Sequence, residues 1–335
     1  MRNIDGMMDS IADSREFEPL SEERTEALLA RTLMKLQKER KKQMNIRKKV
    51  SLLLLAGIIA IGAVSAGAGA YLRMDGRLID FLKPASDAQL EQLQPAGTAI
   101  GRQVTVNDYT VDVKESIGDN YQIYVLFDVI APEGTTLDHE QYRFDAVRLW
   151  SEKNKSMGYS VDMLQDDQPA DNKVSMVLEA NCDRSFTKDR VRLDLENLVY
   201  YDPETMEDVV VEEGLWQVEF DLEYKDISKT LKVNKPIQIF GGEATLRSVS
   251  ISPLSVTAEV KGPAVRKYDD QLPEDDGLED IRIQLRDGTV LEPRTSSRGS
   301  RYFTMQQTCT FDRMIDLEQI QSIQVFGETI ESDWD

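Results

Sequence analysis

Histidine and cysteine are almost missing from this chain: 335 residues hold one His and two Cys. The commoner zinc sites need His and Cys in sets of three or four, so little room is left for them. The one histidine, His139, sits in the polar stretch TTLDHEQY with no Ser or Cys nucleophile motif beside it. No Gly-rich phosphate loop, GxSxG, HExxH or paired-carboxylate signature occurs. No catalytic residue, metal or cofactor is therefore expected, and the chain reads as a non-enzyme. Basic residues are also in deficit, 40 against 60 acids, a formal charge of −20. Nucleic-acid affinity comes largely from Lys and Arg on phosphates, so direct nucleic-acid binding is not expected. A 41% hydrophobic fraction excludes a wholly disordered chain. The length allows two or three domains.

What the chain has instead is one long apolar run. Residues 50–72, VSLLLLAGIIAIGAVSAGAGAYL, are 23 in a row without a charge. At about 1.5 Å per residue such a helix spans roughly 35 Å, enough for a bilayer core of about 30 Å. Eight bases lie between Lys35 and Lys49 against the single acid Glu39, whereas Arg73 and Arg77 are offset by Asp75 and Asp80. The positive-inside rule then keeps the N-terminus cytoplasmic and exports the C-terminal part, with the basic run against anionic lipid headgroups. The stretch AVSAGAGAY resembles a signal-peptidase site, but 49 residues precede the run, so an uncleaved signal anchor is expected. Residues 1–49 carry a net +3, and residues 73–335 carry −23.

Within the cytoplasmic arm, 1–49, Ser21 is a plausible N-cap with Glu22 and Glu23 in the first turn. Leu29, Leu33 and Leu36 then recur at helical spacing. An isolated helix of this length is marginal in water. Two readings stay open: a partner-binding helix that lays its apolar face into a groove, or a solvated stalk needed only for topology. In the span, Gly62, Ala66 and Ala70 fall four apart, with Ala63 and Gly67 beside them. Small residues at this spacing let helices pack in lipid, which raises a homodimer.

Beyond a linker at 73–97 the pattern turns to alternation, and two exported antiparallel β-sandwiches are expected at 98–230 and 231–335. Val104 and Val106, then Tyr109, Val111 and Val113, alternate about Asn107-Asp108, a tight hairpin. YQIYVLFDVI at 121–130 is a longer apolar strand. Further strands are expected at Phe144–Trp150, Val174–Leu178, Val191–Leu195 and Leu215–Tyr224, the last with Trp216, Val218, Phe220, Leu222 and Tyr224 on one face. A second series runs through Thr230–Val233, Ile237–Phe240, Ala244–Ile251, Ser255–Val260, Ile281–Leu285, Arg301–Phe311 and Ser322–Phe326. The acidic stretch Asp269–Asp280 lacks the D-x-D-x-D-G order of a calcium loop and reads as solvated. Cys182 and Cys309 read as buried thiols, a bond between them being the alternative. Tyr200-Tyr201 and Trp150 read as core and edge packing, with a ligand platform as the alternative.

Three segments together carry a resemblance. EFEPLSEERTEALLARTLMKLQKERKK (16–42) before a single span, IGRQVTVNDYTVDVKESIGDNYQIYVLFDVIAPEG (100–134) and GLWQVEFDL (214–222) resemble the Firmicutes membrane protein family known as domain of unknown function 4179. LKVNKPIQIFGGEATLRSVSISPLSV (231–256) and IDLEQIQSIQVFGETI (315–330) are similar to the second immunoglobulin-like domain that often accompanies it. Members are described as anti-sigma factors or are encoded beside extracytoplasmic-function sigma factors. The resemblance thus implies an envelope sensor in the cell membrane, holding a sigma factor through Leu29, Leu33 and Leu36. It supplies no catalytic residue, and the arm lacks the HxxxCxxC signature of zinc-binding anti-sigma domains. An envelope adhesion or scaffold module is the alternative.

Overall fold

The computed structural model describes residues 74–154, 157–165, 171–270 and 281–331. The arm residues Leu29, Leu33 and Leu36 and the span residues Gly62, Ala66, Gly67 and Ala70 lie outside these. So do residues 271–280 of the acidic stretch. Among the described residues no helix is long and apolar enough to cross a membrane.

The described chain is mainly antiparallel β. Two short helices lead it, α1 (Gly76–Leu82) and α2 (Asp87–Leu93), then a single 3-10 turn, Gln94–Ala96. Eight strands come next: β1 (Gly97–Val106), β2 (Tyr109–Gly118), β3 (Gln122–Ile130), β4 (Tyr142–Ser151), β5 (Met157–Met163), β6 (Lys173–Cys182), β7 (Asp189–Asp202) and β8 (Glu207–Leu222). They form a five-stranded sheet, β1-β2-β3-β6-β5, and a three-stranded sheet, β4-β7-β8. Both sheets contribute to one core, in which Val125, Phe127 and Met176 meet Leu193, Leu195 and Trp216.

The Asn107-Asp108 turn forms between β1 and β2, with both residues at positive φ (49° and 68°). That is the hairpin geometry whose twist suits the flanking strands, and Asn and Asp tolerate it better than most residues. The face Trp216, Val218, Phe220, Leu222 and Tyr224 is buried throughout. The Trp216 indole N–H donates to the Tyr109 carbonyl at 2.9 Å and so ties the two sheets together.

The second body holds β9 (Lys229–Ile239), β10 (Gly242–Ile251), β11 (Val256–Lys261), the helix α3 (Pro263–Asp270), β12 (Arg282–Leu285), β13 (Val290–Leu291), β14 (Pro293–Arg301), β15 (Thr304–Phe311), β16 (Ile320–Val325) and β17 (Glu328–Glu331). Its sheets run β14-β15-β11-β10-β9 and β13-β12-β16-β17, around a core that includes Leu246, Val249, Ile283, Met305 and Ile323. Two sequence expectations differ here. Thr230–Val233 and Ile237–Phe240 are one strand, because Asn234 takes φ 52° at a register shift and the chain bulges without leaving the sheet. Arg301–Phe311 is not one strand: Tyr302-Phe303 turn back, and the preceding stretch PRTSSRGSR is a strand with no hydrophobic alternation to announce it.

A third apolar cluster decides how these parts sit together. Along β3, Ile123, Val125, Phe127 and Val129 face the first core, while Tyr124 and Leu126 face the other way. The outward set, with Ile117 and Val177, is covered by Met74, Leu78, Leu82, Leu93 and Ala96 of the helical lead-in and by Leu254 and Met314 of the second body. The continuous apolar run in β3 has its cause here, since a strand buried on both faces has no reason to alternate.

Trp216→Ala should destabilise the chain by about 3–5 kcal/mol, through lost burial and the lost indole bond to the Tyr109 carbonyl. Urea unfolding followed by circular dichroism would measure this; a cost below about 1 kcal/mol would show that the indole is not what joins the sheets.

Candidate functional site: the polar seam between the two β bodies

Asp119 comes directly after β2 and is almost wholly buried, with 1% of its surface exposed. Its Oδ1 accepts from the backbone N–H groups of Tyr121 (2.9 Å) and Gln122 (2.8 Å). Its Oδ2 accepts from the hydroxyls of Ser252 and of Ser255, the latter at 2.6 Å. Both serines belong to the β10–β11 turn of the second body, which is itself closed by Ser252 N–H to the Ser255 carbonyl at 3.0 Å. Burial pushes the Asp119 carboxyl above its ordinary range, against four hydrogen bonds that favour the charged form. The backbone here leaves no room for change. A Cβ on Gly118 would stand 2.7 Å from Ile123 Cγ2 and 2.8 Å from both the Gln122 carbonyl and the Tyr224 hydroxyl.

Glu179 on β6 is the second anchor, also buried. It takes Gln122 Nε2 at 3.3 Å from its own sheet, then Thr310 Oγ1 at 3.1 Å and an Arg294 ion pair from the second body. Arg294 also stacks its guanidinium over Phe81 of α1, 5.7 Å from the ring centroid, and Phe81 packs edge-on against Tyr124 at 5.8 Å. One arginine thus touches the helical lead-in and both bodies.

The lead-in is clamped further. Asp75 caps α1 by accepting from Arg77 N–H at 3.0 Å, and its carboxylate pairs with the Arg77 guanidinium at 2.6 Å. Arg77 reaches on to the buried Asp128 at 2.7 Å and to the Ser175 hydroxyl. Asp128 stands in register with Asp112 across β2 and β3, and Lys114 reaches both carboxylates. Two acids side by side on a sheet would repel; Lys114 between them, with Arg77 on Asp128, offsets that cost. Main-chain bonds finish the clamp, from Lys225 N–H to the Pro95 carbonyl (2.9 Å) and from Met314 N–H to the Leu82 carbonyl (3.1 Å).

The other residues singled out in the sequence fall elsewhere. Cys182 and Cys309 are both buried free thiols, and burial pushes the Cys182 thiol far up. His139 is exposed and stacks flat on Tyr200, centroids 3.5 Å apart. Trp150 does not join them: it pairs with Arg192 and Tyr200 with Tyr142, so the two aromatic sites stand at opposite ends of β4. The Trp150 indole, 53% exposed, donates to Asp194 at 3.1 Å and lies under Arg192. Among the described residues no three His, Cys, Asp or Glu side chains converge as a metal site. The seam residues Asp119, Glu179, Ser252, Ser255 and Arg294 do not stand out as site residues in the sequence. Glu179 carries the one visible signal among them, a carboxylate set within an apolar strand, VSMVLEANC, which Asp128 of the clamp shares in YQIYVLFDVI.

Two consequences are measurable. Asp119→Ala leaves four donors without an acceptor and should cost at least about 3 kcal/mol, splitting one calorimetric transition into two as the bodies uncouple. A single unshifted transition would refute the seam's role. For the clamp, Arg77 holds the Asp75 carboxyl below its ordinary 3.8. A depressed folded value means the stabilisation is present above about pH 4 and is lost as pH falls below it. Hydrogen exchange of the α1 amides, corrected for intrinsic rate, should lose protection over that window in wild type. In Arg77→Ala protection should already be low at pH 7.

No family model matches the chain, and no curated protein matches it. Among solved structures it resembles the crystal structure of a conserved domain protein from Bacillus anthracis, with a TM-score of 0.50 and 15% identity over 74% of this chain and 83% of that one. That likeness concerns fold alone. The N-terminal periplasmic domain of ScsB from Proteus mirabilis also aligns, at 10% identity over 71% of this chain and 99% of that one, but its TM-score of 0.21 carries no argument.

Proposed function

We propose that the chain is a single-pass membrane regulator of the anti-sigma-factor-like kind: a cytoplasmic arm that holds a sigma factor, and two exported immunoglobulin-like sandwiches that sense the envelope. What supports the reading is the clamp on residues 74–96. The charge-free run ends at Leu72, and two residues later Met74 is buried in a core shared by α1, the five-stranded sheet and the second body. A passive tether needs no such attachment. A lead-in held by Arg77, Arg294 and two main-chain bonds moves with both bodies, so a displacement of the exported part is passed to whatever precedes it.

The eight bases at 35–49 hold the arm at the cytoplasmic face. Leu29, Leu33 and Leu36 form the apolar stripe the sigma factor reads, and Gly62, Ala66, Gly67 and Ala70 pack two spans into a dimer. The net −4 of residues 1–34 complements a basic partner face and aids encounter more than affinity.

Co-purification of the full-length chain from membranes with the sigma factor encoded beside its gene tests this. The wild type should retain the factor, and replacing Leu29, Leu33 and Leu36 together by Ser should abolish retention. If the wild type retains none, or the triple variant retains as much, the arm is a stalk and the adhesion or scaffold reading takes its place.

A further inference from the structure

Three two-residue turns of the second body hold an aromatic residue at positive φ: Phe240 (52°) between β9 and β10, Phe326 (51°) between β16 and β17, and Tyr302 (57°) between β14 and β15. Left-handed backbone is costly for a bulky side chain, so each calls for a compensating contact. Phe240 and Phe326 have theirs, since both pack against the second core. Tyr302 does not: it is 74% exposed, and its neighbour Phe303 is 44% exposed. In the other two turns a glycine at positive φ follows the aromatic residue. In Tyr302-Phe303 only the first residue has positive φ, the arrangement in which glycine usually takes that place. Turn chemistry thus disfavours these two rings here, and the fold makes little use of them.

The charge around the tip also departs from the rest. Residues 73–335 carry −23, yet 293–311 hold three Arg and no acid. Residues 260–268 hold Lys261, Arg266 and Lys267 and no acid; acids return at Asp269. The two stretches meet at the tip. Lys261 and Arg301 flank Thr304 in register on adjoining strands, and Gly262 N–H donates to the Phe303 carbonyl at 2.8 Å. Lys261, Arg266 and Arg301 are exposed, and none has an ion pair among the described residues. A two-residue turn is too small to enclose a ligand, but it can bury itself in a soft surface.

We propose that the Tyr302-Phe303 tip dips into the outer headgroup layer of the bilayer that anchors the chain, with Lys261, Arg266 and Arg301 on anionic lipid. This rests on the membrane-anchored reading above. Tyrosine favours that interface, and bases are drawn to anionic headgroups. The bilayer is always within reach, because Met74 is already buried two residues after Leu72. Arg77 meets Ser175 near the start of β6, Gln306 meets Cys182 at its end, and the tip lies beyond Gln306. The exit from the bilayer and the tip therefore stand at opposite ends of the seam. A contact at both lays the two bodies along the membrane.

The test is electron paramagnetic resonance of the full-length chain in nanodiscs of phosphatidylcholine and phosphatidylglycerol. A nitroxide is placed by Tyr302→Cys or, as the solvent reference, by Glu219→Cys, exposed on β8 with the first core between it and the lead-in. The native Cys182 and Cys309 are buried. The label at 302 should collide more with oxygen than with a water-soluble nickel chelate, and the label at 219 the reverse. Lys261→Glu with Arg301→Glu should abolish the oxygen preference at 302. Tyr302→Gly should not lower the melting temperature in detergent, since glycine suits that backbone. A chain that does not enter the disc overturns the anchored reading and this proposal with it. A chain that enters while position 302 stays open to the chelate overturns this proposal alone and leaves the tip to a protein partner. An oxygen preference that survives the charge reversal, or a lowered melting temperature in Tyr302→Gly, also overturns it.

Discussion

A carboxylate cut off from water must find all its hydrogen bonds inside the protein, and Asp119 finds its four in two different bodies. Two come from its own turn, so the first body orients the acid before anything docks. The other two come from Ser252 and Ser255, which reach it only when the second body is in place. Glu179 repeats the arrangement, with Gln122 local and Arg294 and Thr310 supplied across the seam. Half-satisfied buried charges are costly, whereas completed ones fix a single geometry. The two bodies are therefore held in one arrangement by chemistry that neither can complete alone.

The same constraint explains the helical lead-in. Burying Glu179 and Asp128 within the sheet requires the face around them to be dry. That face carries Ile117, Tyr124, Leu126 and Val177. Residues 74–96 cover it together with Leu254 and Met314 of the second body, with Leu78 and Leu82 one helical turn apart and Leu93 further along on α2. Arg77 and Arg294 are the polar edge of the cover, each pairing with one of the buried acids. A segment that reads as a connecting stretch thus becomes part of the core.

The sequence carried its periodic features well, because alternation and turn chemistry are local. The Asn107-Asp108 hairpin, the Trp216–Tyr224 face and the long apolar strand at 121–130 needed only neighbouring residues to be recognised. Strand β14 was not legible, since PRTSSRGSR has Ser, Thr and Arg where a half-buried strand would show Val or Ile. Its place is fixed by pairing with β15 and by Arg294 and Ser297 facing the first body. The break expected within 230–240 failed for a related reason: a bulge at Asn234 looks like a turn until a partner strand is seen to continue past it.

By itself the sequence determined the charge-free run at 50–72, the asymmetry of charge on its two sides, the scarcity of His and Cys, and the β character of the chain beyond residue 97. These are properties of composition and short-range order. Only the tertiary structure decided which acids are buried, and that Asp119 meets serines 133 and 136 residues away while Glu179 meets Arg294 across 115. Nothing in a linear pattern distinguishes a carboxylate in a solvated turn from one sealed in a seam. The difference lies in what packs over it, and that is supplied by residues far along the chain.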